Sequence, residues 1–520
     1  MKLLCFTLLS TFAAVSADVH LPQLLGSGSG VTKPTPAAVA PVRWKPRAML
    51  RPPEEATVVV PGVTTAPRFS QEEEQVGDIP ADTGDSAELP WQWSTIVMDL
   101  LGFWDQVDSQ SIEIAEARVS RAVTAARVQW INKRFFVKDV RALWFARQYT
   151  ASAKLTLLHV LRTHPEIPDF DIVLNQGDYP VLLTPRNIEH FTYMYNSTMP
   201  GPMFSPTSSS STLDLAWPDF SFMPPLGNHE LVTPRWDVAR PSVLRAGAQH
   251  PWEAKLDFAA WTGNPQAGTR KQLKEVVLAH PDKILMNAIL FKTPPGKRSC
   301  VVEGKYDKPG FQENQCGLSF EELCRYKYLI NVGSNGYANK LKYLFLCGSV
   351  VLYVRQGSPN HEFFELQLLP GTHYWPVETP EDLPAAIDYL QAHPALAKRI
   401  GTAGTARMRH MDMGEVSNYL STVLTQYSQK LRFKPTRLKG SFEVNCEDDL
   451  WRHYNIDGSL LRFVTEDNST CLRRPEPEDL VAPGWGGAYQ GSFVDCKTAN
   501  DLVEVPDACN PDVIRGKTRF

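Results

Sequence analysis

Residues 325–354 read RYKYLINVGSNGYANKLKYLFLCGSVVLYV, and this stretch decides the fold class. The run Tyr326–Val332 is rich in β-branched and aromatic residues and predicts a buried strand, and residues 349–354 predict a second one. Between them, apolar residues recur at helical spacing in 341–345, and Gly348 stands where a glycine would end the helix. The stretch therefore predicts strand, loop, helix and strand, the unit from which parallel α/β sheets are built.

The predicted helix begins soon after the glycine turn at 333–336 (GSNG). Unpaired N–H groups and the positive end of the helix dipole would favour a phosphate at that point. Lys340 would add a full positive charge. Such turns are also common in α/β crossovers that bind nothing, so the turn considered alone fits an ordinary crossover better than a phosphate site.

Four further blocks stand in order around this stretch: 168–180 (PDFDIVLNQGDYP), 217–222 (WPDFSF), 261–270 (WTGNPQAGTR) and 361–377 (HEFFELQLLPGTHYWPV). Together with 325–354 they resemble glycosyltransferase family 90, which includes the Rumi-like protein O-glucosyltransferases and glycosyltransferases that modify capsules and lipopolysaccharides. Each block alone is a weak signal, whereas five in the same order over about 210 residues are a strong one.

The resemblance implies an α/β fold of the GT-B type, in which two Rossmann-like halves face each other across a cleft. The residues agree, because strands alternate with helices in both halves, and this alternation predicts parallel sheets covered on both faces. We expect the catalytic base and the acceptor side in a first half at 91–245. The nucleotide-sugar site is expected in a second half at 246–436.

For function, the resemblance implies an inverting, metal-independent glycosyltransferase that moves glucose or xylose from a UDP-sugar to a hydroxyl of a protein or glycan. The UDP-sugar is then the donor substrate, and neither a cofactor nor a metal is expected. The alternative is a secreted glycan-binding protein that keeps the fold without turnover, with a cysteine-rich tail as its binding module.

Inverting transfer needs a base that takes the proton of the acceptor hydroxyl. Asp178 follows the strand predicted at 171–174, at the edge of the sheet where ligands of α/β proteins gather. Considered alone, it fits a turn aspartate before Tyr179 and Pro180 better than a catalytic group. The resemblance places the catalytic aspartate on Asp178, and with five matching blocks catalysis is the favoured interpretation. Asp219 is the reserve candidate.

Positive charge must also stabilise the departing diphosphate. The resemblance assigns donor binding to Asn264, Arg270, Asn335, Gly336, Tyr337, Ala338, Asn339 and Lys340. Arg270 matches the family in kind. Lys340 is a departure, because the animal relatives carry arginine at this position, and lysine keeps the charge but loses the two-pronged guanidinium.

The resemblance also places one loop beside the acceptor; it comprises Trp217, Pro218, Asp219, Phe220, Ser221 and Phe222. The aromatic rings suit stacking on a sugar or on an acceptor side chain. They suit core packing at the base of a loop equally well. The residues alone leave these two interpretations open.

Two motifs typical of other chemistry are discounted. Asp169 and Asp171 spell the DxD of metal-dependent glycosyltransferases, but they open a strand and have no third ligand in view. Residues 361–365 (HEFFE) lack the second histidine of the zinc-protease motif. Both are expected to be structural.

The composition and the N-terminus bear on partners and compartment. The 520 residues carry a net charge of −4, and no basic run interleaves with aromatic residues, so nucleic-acid binding has no support. Residues 1–17 combine a lysine, a short apolar run and small residues, which predicts a signal peptide. No other run is long enough to span a membrane. Residues 18–90 are rich in proline and alanine and predict a disordered stem.

The remaining eight cysteines predict four disulfides in an oxidising compartment. The animal relatives carry a cysteine pair at the positions of Cys324 and Cys347, so the resemblance implies a disulfide between them. Residues 437–520 predict a small disulfide-rich appendage. Asn196 and Asn468 begin N-glycosylation sequons. We therefore expect a protein of the endoplasmic reticulum, the Golgi or the extracellular space.

Periodicity predicts further elements along the chain. Helical spacing occurs at 112–145, 152–161, 271–279, 380–397 and 406–431. Strands are predicted at 259–262 and 284–290. The last helix is long enough to cross back over the first half.

Overall fold

The computed structural model describes residues 90–119, 124–141, 147–184, 199–223, 235–266, 268–289, 307–314, 317–334, 336–356, 360–454 and 472. The signal peptide, the stem, Asn335 and both sequon asparagines lie outside these residues. No helix in the described ranges is both long and apolar enough to cross a bilayer.

The second sheet in chain order is all parallel, as predicted. Its strands are β6 (Leu256–Gly263), β7 (Ile284–Ile289), β8 (Gly310–Asn314), β9 (Tyr326–Val332), β10 (Val350–Val354) and β11 (Trp375–Val377). They lie in the order β11-β10-β9-β6-β7-β8. The order reverses between β6 and β9, which is the strand order of a dinucleotide-binding sheet.

The first sheet is mixed rather than parallel, so the expectation of parallel pairing is wrong for part of this half. Its strands are β1 (Ala125–Ile131), β2 (Arg134–Arg141), β3 (Phe170–Asn175), β4 (Met203–Ser205), β5 (Leu215–Ala216) and β12 (Phe442–Val444). They lie in the order β12-β2-β1-β3-β4-β5. Only β3, β4 and β5 pair in parallel, whereas β1 pairs antiparallel with β2 and β3, and β12 pairs antiparallel with β2.

The antiparallel part replaces most of the helical structure predicted at 112–145. A helix ends at Val119, and β1 and β2 then form a hairpin. Its turn residues Asn132 and Lys133 both have positive φ, 49° and 60°. Two positive φ values in a two-residue turn give the backbone twist that closes a tight hairpin, and asparagine tolerates this conformation well.

Helices cover both sheets. They are α1 (Trp93–Leu101), α2 (Ser109–Val119), α3 (Arg147–Thr163), α4 (Trp236–Gln249), α5 (Arg270–Ala279), α6 (Phe320–Leu323), α7 (Leu341–Leu344), α8 (Leu383–Ala392), α9 (Pro394–Arg409), α10 (Met413–Ser428) and α11 (Glu447–Tyr454). One apolar core runs from the first sheet to one face of the second, and another covers the opposite face of the second sheet.

Helix α10 crosses back to the first sheet, as predicted, but the single helix predicted at 406–431 is wrong, because α9 ends at Arg409 and α10 begins at Met413. The Tyr419 hydroxyl donates to the carbonyl of Ala216 at 2.5 Å, and the Tyr427 hydroxyl donates to the carbonyl of Asp171 at 2.7 Å. Both tyrosines are buried. Helix α9 packs on β10 of the second sheet, so α9 and α10 together contact both sheets.

Part of the expected appendage belongs to the first sheet. Strand β12 extends its edge, and α11 packs on α3. The Tyr454 hydroxyl donates to Asp139 of β2 at 2.7 Å, and the ammonium of Lys154, which has no exposed surface, lies over the Tyr454 ring. A separate unit beginning at residue 437 is therefore wrong for residues up to 454, because their apolar side chains complete the core of the first sheet.

The disulfide implied by the resemblance is present. Cys324 and Cys347 are bonded, with their Cα atoms 4.6 Å apart, and both are buried. Cys324 follows α6, and Cys347 ends a 3₁₀ turn before Gly348, whose φ of 68° fits the predicted glycine cap. The Lys255 ammonium donates to the backbone carbonyls of both cysteines.

Replacing both Cys324 and Cys347 by alanine should lower the free energy of unfolding by roughly 3 kcal/mol, because the bond closes a loop of 23 residues in the unfolded chain. Urea unfolding of the double variant measures this. Peptide mapping without reduction checks the pairing, and recovery of Cys324 as an alkylatable thiol would contradict it.

Candidate active site

The point where the strand order reverses is formed by the loops that follow β6 and β9. Both loops leave the carboxyl ends of neighbouring parallel strands, where open α/β sheets bind their ligands. The loops touch, because a Cβ atom on Gly268 would lie 3.0 Å from the carbonyl oxygen of Ser334. All of the residues assigned to the donor lie in these two loops or at the start of α5.

Two cations meet at this point. Lys340 donates to the carbonyl of Thr262 at 2.7 Å, and Arg270 lies 3.4 Å from the carbonyl of Val332. The Lys340 ammonium and the Arg270 guanidinium lie 4.4 and 5.7 Å from the centroid of the buried Trp261 ring. Within the described ranges, neither has a carboxylate partner. Both side chains are partly exposed, so an anion can reach them.

The pKa values of both cations are lowered. Burial lowers the pKa of Arg270 to about 10. Burial, and then repulsion from Arg270, lowers the pKa of Lys340 well below its ordinary value. A bound diphosphate would relieve this repulsion, so the pair is arranged to receive an anion.

The other donor residues support the loops. The Asn264 side chain accepts from the backbone N–H of Gln266 at 2.9 Å, which closes a local turn. Ala338 is buried, and the Asn339 carbonyl accepts from Lys342. Asn335 lies outside the described residues.

Asp178 lies against the loop that follows β9. It is exposed and follows β3 of the first sheet. A Cβ atom on Gly336 would lie 2.0 Å from the Asp178 carbonyl oxygen, so the glycine turn packs directly against the backbone of this residue. The structure therefore brings the predicted base and the predicted donor loop together, although 158 positions separate Asp178 from Gly336 (336 − 178).

Gly336→Ala should lower the free energy of unfolding by about 1–3 kcal/mol, because the added methyl group meets a backbone oxygen that cannot rotate away. The displaced loop should also lower UDP affinity. Urea unfolding and calorimetric titration of UDP are the measurements. Wild-type values in both would contradict the close packing of Gly336 on Asp178.

The loop assigned to the acceptor is mostly core. Trp217 and Phe222 are 2% and 0% exposed, and Pro218, Asp219 and Ser221 are also buried. Trp217 packs edge-on against Phe204, and Phe222 packs against Trp236 and Phe363. The structure thus favours core packing over sugar stacking. Among the six residues of this loop, Phe220 is the one that is half-buried.

Sequence reasoning missed the partners of Asp219. This carboxylate accepts from the Tyr337 hydroxyl at 3.0 Å and lies 3.3 Å from the Lys342 ammonium. Lys342 has no exposed surface. The only signal in the sequence was a lysine inside the apolar run 341–347 (LKYLFLC). A lysine on a buried helix needs a partner for its charge, because an unpaired buried charge is costly.

The two discounted motifs are structural. Asp171 forms a buried, two-pronged ion pair with Arg127 at 2.7 and 2.9 Å, and Asp169 accepts from the Asn132 backbone at the hairpin turn. In the HEFFE segment, Glu362 is buried, and Glu365 accepts from the Tyr353 hydroxyl at 2.8 Å.

At the crevice of this dinucleotide-type sheet lie an arginine and a lysine that have no carboxylate partner among the described residues, and the backbone of Asp178 packs against the same loop. Such an arrangement is typical of sites that bind a phosphate-bearing donor. The model for glycosyl transferase family 90 matches residues 85–481. The chain therefore belongs to this family and is a glycosyltransferase.

Characterised relatives cover a large part of the chain. Protein O-glucosyltransferase 1 of Rattus norvegicus is 30% identical over 296 residues, which are 55% of this chain and 69% of the rat protein. O-glucosyltransferase rumi of Drosophila melanogaster is 28% identical over 291 residues, 55% of this chain and 64% of that protein. The solved structure of Anabaena HepE in complex with UDP-glucose aligns with 36% of this chain and 53% of its own, at 12% identity and a TM-score of 0.24. That likeness is too low to bear on the fold.

Proposed function

We propose that the protein transfers a sugar, glucose or xylose, from a UDP-sugar to a hydroxyl group of a protein. The observation that carries this proposal is the couple Arg270 and Lys340 at the carboxyl ends of β6 and β9. Two cations that have no carboxylate partner in the part of the chain that the structure describes fit the diphosphate of a nucleotide sugar. The rat and fly relatives are named as O-glucosyltransferases, which supports glucose and a protein acceptor.

The arrangement supports a GT-B enzyme in which halves at 91–245 and 246–436 face each other. The bonds of Asp219, in the loop after β5, to Tyr337 and to Lys342 of α7 then lie where the two halves meet. Strand β12 and helix α11 add to the first half. The signal peptide predicted at residues 1–17 supports a lumenal or secreted location.

In the proposed reaction, Asp178 takes the proton from the acceptor hydroxyl, whose oxygen attacks the anomeric carbon from the face opposite UDP. The bond from that carbon to the β-phosphate oxygen breaks, and the electron pair stays on UDP. Arg270 and Lys340 stabilise the negative charge that develops on the diphosphate. Configuration at the anomeric carbon is thereby inverted.

A screen of donor hydrolysis and transfer tests the proposal. Purified protein is incubated with UDP-glucose, UDP-xylose and other UDP-sugars, with a folded disulfide-rich domain or a glycan as acceptor, with and without EDTA. We expect turnover with glucose or xylose that persists in EDTA. Loss in EDTA would contradict metal independence, and glycan binding without turnover of any donor would favour a glycan-binding protein.

A further inference from the structure

Two buried side chains of opposite charge join the connection after β5 to the connection after β9. Lys342 and Asp219 lie 3.3 Å apart, and the side chains of both have no exposed surface. A buried ion pair is a weak source of stability, because removing two charges from water offsets their attraction. Its best attested use is to fix one arrangement of the chain.

All three protons of the Lys342 ammonium are used. Besides Asp219, they reach the Ser221 hydroxyl at 2.5 Å and the Asn339 carbonyl at 2.9 Å. Ser221 belongs to the loop after β5, and Asn339 lies between the glycine turn and α7. Lys342 therefore holds two segments that are far apart in the chain.

Asp219 makes the complementary ties. One oxygen accepts from the Ser221 backbone N–H at 3.0 Å and from its hydroxyl at 2.5 Å, and the other accepts from the Tyr337 hydroxyl at 3.0 Å. With both oxygens occupied inside the protein, Asp219 is not placed to take a proton from an acceptor. It instead holds Tyr337, the neighbour of the glycine that packs on Asp178.

Glu362 also lies beside Lys342, but it adds no hydrogen bond to this network within the described residues. Its carboxyl group lies 3.9 Å from Lys342, and neither oxygen has a hydrogen-bond partner in the described residues. Burial raises the pKa of Glu362 well above its ordinary value, although Lys342 acts in the opposite direction. The carboxylate that Lys342 approaches most closely is therefore that of Asp219, at 3.3 Å.

We propose that Asp219, Lys342 and Tyr337 are positioning residues of the transfer reaction. They hold the turn at 336–340 so that Gly336 lies against Asp178 while Lys340 stays beside Arg270. The inference rests on the proposed function, since it assumes that the turn binds the donor.

Tyr337→Phe tests the inference with the loss of one hydroxyl group. We expect UDP affinity to fall about tenfold, with a similar rise in the donor KM, because the turn loses its hydrogen bond to a carboxylate. The matched control is Tyr427→Phe, which removes a buried hydroxyl bonded to the Asp171 carbonyl, away from the turn. Thermal melting of the two variants should be similar, which separates positioning from stability.

Two results would overturn the inference. If Tyr337→Phe binds UDP like Tyr427→Phe while Arg270→Ala loses affinity, the ties are merely structural and the proposed function stands. If neither Tyr337→Phe nor Arg270→Ala changes UDP affinity, the donor does not bind at this turn, and the inference and the proposed donor site both fail.

Discussion

Replacing Asp178 by asparagine is expected to slow sugar transfer by ~10²- to 10⁴-fold while leaving UDP affinity nearly unchanged. The amide keeps the size of the side chain but cannot take the acceptor proton, and loss of a general base typically costs that factor. UDP binding should persist because Arg270 and Lys340 belong to the loops of the other sheet. Initial rates and calorimetric titration of UDP on the same preparation measure the two effects.

Asp169→Asn is the matched control, because it removes the same charge at the other end of β3. Its transfer rate should stay near that of the wild type. Near-normal turnover of Asp178→Asn would end the assignment of the base. The role would not pass to Asp219, whose two oxygens already accept from Ser221 and Tyr337.

The nucleotide-binding unit could be predicted from residues 325–354 because its strands are buried. β9 matches the predicted strand, β10 begins one residue later than predicted, and Gly348 has the left-handed conformation expected of a helix-ending glycine. Strands that are covered on both faces read as continuous apolar runs. Such runs can be recognised in the sequence without knowing which distant residues they contact.

The hairpin of the first sheet escaped prediction for the opposite reason. All seven residues of β1 are buried, yet Arg127 and Gln129 are polar. Asp171 of the neighbouring β3 accepts from both of them. A polar residue that is neutralised by a partner 42 or 44 positions away disrupts the apolar pattern, so the strand resembled an exposed helix.

The residues proposed for the candidate site could be chosen from the sequence, but how deeply they are buried could not be predicted. Arg270 and Lys340 lie beside the same Trp261 ring, and Gly336 of the adjoining loop packs on the backbone of Asp178, because the carboxyl ends of strands converge in this fold. The roles that the resemblance assigns to these residues stay predictions. The pairing of Asp219 with Lys342 depends on a contact between residues 123 positions apart. No local pattern encodes such contacts.

Arg270→Ala is expected to weaken UDP binding by roughly 10- to 100-fold, and Lys340→Ala by less. A guanidinium can grip two phosphate oxygens at once, whereas an ammonium acts as a point charge. Lys274→Ala is the control, because it removes a positive charge from the same helix, where Lys274 lies over the Phe311 ring. Calorimetric titration of UDP should give the order Arg270→Ala weakest, then Lys340→Ala, then Lys274→Ala near the wild type.

Lys340 should also make UDP binding dependent on pH. Burial and repulsion from Arg270 lower its pKa in the free enzyme, and a bound diphosphate raises that pKa again. Binding should therefore take up protons, and UDP affinity should fall as pH rises through the lowered pKa of the free enzyme. Titrations in buffers of different ionisation enthalpy detect this uptake, and Lys340→Arg should remove it because a guanidinium stays charged. Equal proton uptake in the wild type and Lys340→Arg would show that a group other than Lys340 takes up the proton. Unchanged UDP affinity in both Arg270→Ala and Lys340→Ala would show that the diphosphate binds elsewhere.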